Sequence, residues 1–206
     1  MANYYYSKNP DVKHQERDWN FELLGNQLKF ITDNGVFSKN TVDFGTRVLL
    51  NALEKNNELI NKSKILDVGC GYGPIGLAIA KKYPQAHVDM VDVNELALEL
   101  AKKNANINEI NNVSIYSSDV FDNITSNDYQ MIISNPPIRA GKKVVHAILN
   151  DAFDHLAEDG LLTIVIQKKQ GAASAKKKME TVYGNCQLIA RDKGYQILQS
   201  KKKNEI

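Results

Sequence analysis

The stretch Asp67-Val68-Gly69-Cys70-Gly71-Tyr72-Gly73-Pro74-Ile75-Gly76 joins an apolar run, Lys64 to Val68, to a helix candidate, Pro74 to Tyr83. Its glycines let the backbone come close to a ligand with no Cβ in the way, and Pro74 suits the first turn of a helix. A strand that gives way to a helix through such a loop puts the loop at the strand's carboxyl end, where open α/β sheets take their ligands. Read literally, Gly71 to Gly76 also has the G-x-G-x-x-G spacing of dinucleotide sites, with the acidic Asp92 about 20 residues further on. The loop therefore indicates an adenosine-type cofactor without choosing between NAD and others.

Downstream, strand and helix candidates alternate: strand His87 to Val91, helix Glu95 to Asn106, strands Val113 to Tyr116 and Tyr129 to Ile133, a helix from about Lys143 to Leu156, and strand Leu161 to Gln167. Connections of this length predict an α/β fold, a doubly wound and mainly parallel sheet with helices on both faces. The tail differs. After a helix candidate, Ala172 to Val182, the runs Gln187 to Arg191 and Tyr195 to Gln199 are separated only by Asp192-Lys193-Gly194, a link that permits a hairpin and excludes a parallel crossover. Upstream, Trp19 to Leu24 and Gln27 to Thr32 flank a Gly25-Asn26 turn signal and predict a hairpin outside the main sheet. Apolar spacing from Thr41 to Ile60 then predicts a helix. We divide the single structural domain into a hairpin and helix extension over residues 1–60 and a catalytic core over 61–206.

Three strand-end carboxylates refine the cofactor. Asp67 stands immediately ahead of the glycines, where it would repel a pyrophosphate but attract a sulfonium cofactor with an ammonium group, which favours S-adenosylmethionine. Asp92 is placed to accept from ribose hydroxyls and Asp119 to hold the adenine amine. Singly, each is also a plausible helix cap or turn former; the ordered set carries the inference.

After the strand Tyr129 to Ile133 comes Ser134-Asn135-Pro136-Pro137-Ile138-Arg139. Two prolines at a strand end fix φ, remove backbone donors and leave a stiff turn rich in carbonyl acceptors. A conjugated exocyclic amine has a poorly available lone pair. Its two N–H bonds match the Asn135 side-chain oxygen and the Pro136 carbonyl, with the lone pair facing the donor methyl. Methyl transfer from a sulfonium is an in-line displacement in which positioning and electrostatics supply most of the acceleration, so neither a metal nor a covalent nucleophile is required. His14, His87, His146 and His155 form no metal-binding motif.

With 206 residues and 43% apolar composition, the chain suits one domain with a real core. Two unpaired cysteines, Cys70 and Cys186, fit a reducing compartment. Neither the tyrosine-rich stretch Met1 to Asp11 nor any apolar run predicts export or a membrane span, and we place the protein in the cytoplasm. Residues 1–167 carry 16 basic and 21 acidic side chains, whereas 168–206 carry 10 and 3. That asymmetry can attract a phosphate backbone, although lysine runs are often only solvated surface.

The loop at 67–73 together with Asn-Pro-Pro-Ile at 135–138 resembles class I methyltransferases acting on nitrogen. Gly35-Val36-Phe37-Ser38, Val42-Asp43-Phe44-Gly45-Thr46 and the stretch from Asn135 to Lys142 are similar to the small-subunit ribosomal RNA guanine-N2 methyltransferase C family, over about Tyr5 to Gln199. The resemblance implies a Rossmann-like seven-stranded sheet with an antiparallel last strand. It implies S-adenosyl-L-methionine as cofactor, S-adenosyl-L-homocysteine as product, and ribosomal RNA or the small ribosomal subunit as partner. Carried over, it sets Asp67, Gly69, Gly71 and Gly73 around the methionine end, Asp92 at the ribose, Asp119 at the adenine, and Asn135, Pro136, Pro137 and Ile138 at the reacting amine. Phe37 and Thr46 are expected to close over the cofactor, and Arg139, Lys142 and Lys143 to meet RNA. Longer members carry a second, degenerate domain that is expected to be missing here. Ile138 stands where many amino methyltransferases have an aromatic that stacks on the base, a contact worth about 1 to 3 kcal/mol; Phe37 or Arg139 is the expected substitute. Adenine in DNA, or a protein glutamine, is an alternative acceptor. An NAD-dependent oxidoreductase and a non-catalytic RNA-binding module are the alternatives of other classes.

Overall fold

The computed structural model describes Lys8 and residues 13–203. The rest of the stretch Met1 to Asp11, including Tyr5 where the family likeness begins, lies outside the described residues, as do residues 204–206. The strands are β1 Arg17–Leu23, β2 Asn26–Thr32, β3 Lys64–Val68, β4 His87–Asp92, β5 Val113–Ser117, β6 Tyr129–Ser134, β7 Leu156–Gln167, β8 Gln187–Asp192 and β9 Tyr195–Lys201. The helices are α1 Phe44–Lys55, α2 Pro74–Lys82, α3 Glu95–Ile107, α4 Lys142–His155 and α5 Ala172–Tyr183.

Seven strands form one sheet in the order β5-β4-β3-β6-β7-β9-β8. From β5 to β7 all neighbours are parallel, while β9 runs antiparallel to both β7 and β8. The central strands are buried on both faces: Ile65, Met131 and Ile133 pack with α1, α2 and α3, and Leu66, Ile132 and Ile164 with α4 and α5. Continuous apolar runs such as Met131-Ile132-Ile133 are what a doubly covered parallel strand requires. The order reverses at β3, whose neighbours are β4 and β6, so the glycine loop after β3 and the Asn-Pro-Pro turn after β6 open on one crevice.

Both hairpins exist, and both close by two-residue turns with positive φ, the geometry that matches strand twist. In the tail, Lys193 and Gly194 take φ 44° and 86°. In the first hairpin the turn is Leu24-Gly25, at φ 51° and 74°, rather than Gly25-Asn26. Asn26 instead pairs with Leu23, and burial of the Leu24 side chain in the core holds that residue in a conformation leucine rarely adopts. Helix α1 is shorter than its apolar spacing suggests. It starts at Phe44 because Asp43 caps it by accepting from the Thr46 N–H at 3.2 Å, and it stops before Asn57, whose φ is 56°. Strand β7 begins five residues earlier than expected, Leu156 pairing with Tyr129 ahead of a register shift.

The β1–β2 ribbon is a separate sheet, docked by two asparagines one helical turn apart, Asn104 on α3 and Asn108 at its C-cap. Asn104 accepts from the Ile31 N–H at 2.6 Å and donates to the carbonyls of Ile31 and Tyr72. Asn108 makes the equivalent pair with Lys29. Two residues along a strand span nearly the same distance as one turn of helix, so the i, i+4 pair matches alternate strand residues. Asn104→Leu leaves three backbone groups unpaired in a buried place and is expected to cost about 3 kcal/mol in urea unfolding; a midpoint equal to wild type would show that water replaces these bonds.

Candidate active site

The carboxyl ends of β3, β4 and β6 and the start of α1 enclose a cavity of about 360 Å³, a size that suits a small-molecule site. Its glycine-loop wall is built on Asp92. One carboxylate oxygen of Asp92 accepts from the Gly71 N–H at 2.8 Å and the other from the Asn94 N–H at 2.9 Å. Gly69 and Gly71 have φ of 74° and 56°, and a Cβ on either would meet nothing within 4 Å. The loop is thus an open cradle. Above it, Val36, Phe37 and Ser38 form a rim held by Asn94, whose side chain donates to the Gly35 carbonyl, and by Tyr72, whose hydroxyl reaches the carbonyls of Ser38 and Thr41.

The structure brings together on this wall Phe37, Thr46, Gly69, Gly71, Asp92 and Asp119, and, on the opposite side, Asn135 to Arg139. Asp119 and Phe37 are exposed. Four expected residues stand off the wall. Gly73 caps α2 at φ 103°, where a Cβ would come within 2.7 Å of Leu77 and 3.0 Å of Met90, so its glycine serves packing. Lys142 and Lys143 stand exposed at the start of α4.

Asp67 is the fourth. It is fully buried beneath the loop, one oxygen accepting from the Gly76 N–H at 2.9 Å and the other, Oδ1, without a partner. Burial, with help from the nearby charge of Asp92, pushes its carboxyl up to about 7 against the opposing Gly76 bond. Burial likewise raises Asp92. An orphaned carboxylate oxygen and two buried carboxyls of raised proton affinity fit a cationic ligand at the loop, as the ammonium and sulfonium of S-adenosylmethionine are, and fit a pyrophosphate poorly. With its carboxyl at about 7, Asp67 is expected to hold its proton in the unbound protein below that pH and to give it up when a cation binds, so that affinity falls as pH drops through about 7. The expected dissociation constant rises about fivefold from pH 7 to pH 6, and Asp67→Asn flattens that step in calorimetric titrations. A step unchanged in Asp67→Asn would assign the proton to another group.

The Asn-Pro-Pro turn is braced from α1. The Asn135 amide nitrogen donates to Asp43 Oδ2 at 2.9 Å and to Thr46 Oγ1 at 3.1 Å. A carboxylate accepts only, so it fixes the amide with its NH2 towards Asp43. Both N–H groups are then spent, and Oδ1 is what Asn135 presents to the cavity. Thr46, 2% exposed, is therefore a brace for Asn135 as well as a wall residue. In the turn itself, the carbonyls of Pro137 and Ile138 are taken by the N–H groups of Ala140 and Gly141, while that of Pro136 accepts from nothing among the described residues. Sequence reasoning missed Asp43 and Tyr195, an aromatic that joins Phe37 and Tyr72 on the wall and lies near Phe44. Among the described residues no group of three His, Cys, Asp or Glu could hold a metal ion, and no helix is long and apolar enough to cross a membrane.

A doubly wound sheet with an antiparallel last strand, a glycine cradle over two raised carboxyls and a braced Asn-Pro-Pro turn define a class I S-adenosylmethionine-dependent methyltransferase. The chain belongs to the methyltransferase small domain family, whose model matches residues 27–199. It is 48% identical over 203 residues to the uncharacterized protein YbxB of Bacillus subtilis (strain 168), covering 98% of this chain and all of that one. It is 35% identical over 179 residues to ribosomal RNA small subunit methyltransferase C of Aeromonas hydrophila, covering 85% of this chain and 49% of that one. The T. thermophilus 16S rRNA N2 methyltransferase RsmC, solved in complex with AdoMet and guanosine, superposes with a TM-score of 0.84 at 25% identity, covering 94% of this chain and 52% of that one. The chain thus spans the whole of YbxB and about half the length of these two ribosomal RNA methyltransferases.

Proposed function

We propose that this protein methylates an exocyclic amine, the N2 of a guanine in small-subunit ribosomal RNA, in the cytoplasm. The observation that carries the reading is Asn135: an amide with both N–H groups spent offers the acceptor atom an oxygen only, and so selects a group that donates. S-adenosylmethionine supplies the methyl group on an electrophilic sulfonium. Asn135 Oδ1 and the free Pro136 carbonyl hold the two N–H bonds of the amine, and the stiff prolines keep that pair of acceptors aimed. As the nitrogen–methyl bond forms and the methyl–sulfur bond breaks, positive charge would develop on the nitrogen; the Asp43 carboxylate behind the Asn135 amide offsets it until one N–H proton passes to water, S-adenosylhomocysteine being the other product. On the cofactor side, Asp92 takes the ribose hydroxyls, Asp119 the adenine amine, and Gly69 and Gly71 the methionine portion, with Phe37 over it. Arg139, Lys142 and Lys143 meet RNA phosphates.

Guanine in ribosomal RNA is favoured over adenine or a protein glutamine by the named activities of the relatives, since an Asn-Pro-Pro turn serves any planar amine. Titration with S-adenosylmethionine and with NADH separates the methyltransferase from the oxidoreductase, and silence to both favours a non-catalytic RNA-binding module. Labelled methyl transfer to unmodified small-subunit RNA, assembled subunits, DNA and protein then tests the acceptor. We expect N2-methylguanosine after RNA digestion; label confined to adenine or to protein would defeat the guanine assignment.

A further inference from the structure

Beside the cavity, five residues that the reaction chemistry leaves unused come together from three parts of the chain. Tyr195 lines the cavity, and its ring centroid lies 5.6 Å from that of Phe44. The ring fits against α1 because position 45 is glycine, where a Cβ would stand 2.7 Å from it. The Arg47 guanidinium sits 4.9 Å from the Phe44 centroid and 5.7 Å from that of Phe21 on β1. The Lys193 ammonium, at the β8–β9 turn, lies 5.1 Å from the same Phe44 centroid. Lys193 is exposed and the other four are partly exposed, so from the cavity the ring of Tyr195 leads to that of Phe44, then to two cations and, past Arg47, to the ring of Phe21 on β1.

Ring quadrupoles attract cations without neutralising them. Among the described residues, no ion pair joins Arg47 or Lys193 to a carboxylate, and the buried Nε of Arg47 donates to nothing. Two like charges gathered on one ring repel each other until an anion joins them. A planar guanidinium with unspent donors matches phosphate oxygens. Half-exposed rings interleaved with cations match a single strand, whose bases are free to stack, whereas a duplex would use the cations and leave the rings idle.

We propose that Tyr195, Phe44, Arg47, Phe21 and Lys193 form the surface that carries the single-stranded RNA flanking the target base. Arg47 and Lys193 take phosphates, and the aromatic rings take neighbouring bases, Tyr195 supplying at the cavity mouth the aromatic surface that Ile138 does not. This surface rests on the RNA reading of the reaction and adds to it the path of the strand.

The test is fluorescence anisotropy of a labelled single-stranded RNA with wild type, Lys193→Gln, Arg47→Gln and Lys102→Gln, a lysine exposed on α3, across a salt series. Each lost phosphate contact is expected to flatten the slope of log K against log salt by about 0.7. The first two variants should therefore each lose about that much and bind RNA at least about threefold more weakly at low salt. Lys102→Gln and the affinity of every variant for S-adenosylmethionine should stay at wild-type values. Where Arg47→Gln melts early, the exposed Lys193 carries the test. Slopes equal to wild type in Lys193→Gln and in a folded Arg47→Gln, with wild type methylating RNA, would overturn this surface alone. Wild type that methylates DNA or protein but no RNA would overturn both the surface and the reading beneath it.

Discussion

Asn135→Ala is expected to lower turnover about a hundredfold or more while the affinity for S-adenosylmethionine stays within about twofold, a loss near 3 kcal/mol of transition-state stabilisation. Asn135 Oδ1 is one of the two acceptors proposed for the amine, and removing it would leave Pro136 alone to orient the nucleophile. Asp43→Asn keeps the Asn135 oxygen while removing both the carboxylate that orients its amide and the charge behind it. Asparagine caps a helix about as well as aspartate, so α1 survives. An amide at position 43 offers both donor and acceptor, however, and no longer dictates which way Asn135 faces. Turnover is then expected to fall about tenfold with cofactor affinity and thermal midpoint unchanged. Single-turnover kinetics beside calorimetry check both variants. Parallel loss of cofactor affinity would reassign Asn135 to a structural role, and full activity in Asp43→Asn would show that the turn orients the amide unaided.

Asp92→Ala has its largest expected effect on the other half of the site. Its carboxylate ties the loop N–H of Gly71 to that of Asn94, which caps α3 and holds the Gly35 rim. Alanine removes both charge-assisted bonds, worth about 1.5 to 3 kcal/mol each, together with the acceptors proposed for the ribose. Affinity for S-adenosylmethionine is expected to drop at least about a hundredfold, with kcat at saturating cofactor much less affected. Calorimetry reads the first, and kinetics at high cofactor the second. An affinity within threefold of wild type would mean that the ribose is held elsewhere.

The parts of this protein that were legible in the sequence are those governed by local rules. Strand β3 runs from Lys64 to Val68 as its apolar run indicated, because a strand buried on both faces needs continuous apolar residues between turn formers. The loop after it, and the proline turn after β6, announce themselves because glycine and proline restrict or free φ within a few residues. The tail hairpin followed from a link too short for any other connection.

Other features depend on partners far apart in the chain. The amide of Asn135 is fixed by Asp43, 92 residues away, and Asn104 reaches Ile31 across 73; no spacing rule connects such positions. Asp67 was legible as an acid beside the glycines, but its place beneath the loop, and hence its raised proton affinity, depends on how α2 packs over β3 and β4. The first turn shifted by one residue because burial of Leu24 outweighed the local preference for Gly25-Asn26.

The amino-acid sequence by itself determined the strands and their alternation with helices, the glycine loop and the Asn-Pro-Pro turn, because backbone propensity and hydrophobic pattern act over short range. Only the tertiary structure decided which way the Asn135 amide faces, which turn carbonyl is left free and which cations gather around Phe44. Those outcomes depend on close packing and hydrogen-bond accounting between segments that meet only when the chain is folded.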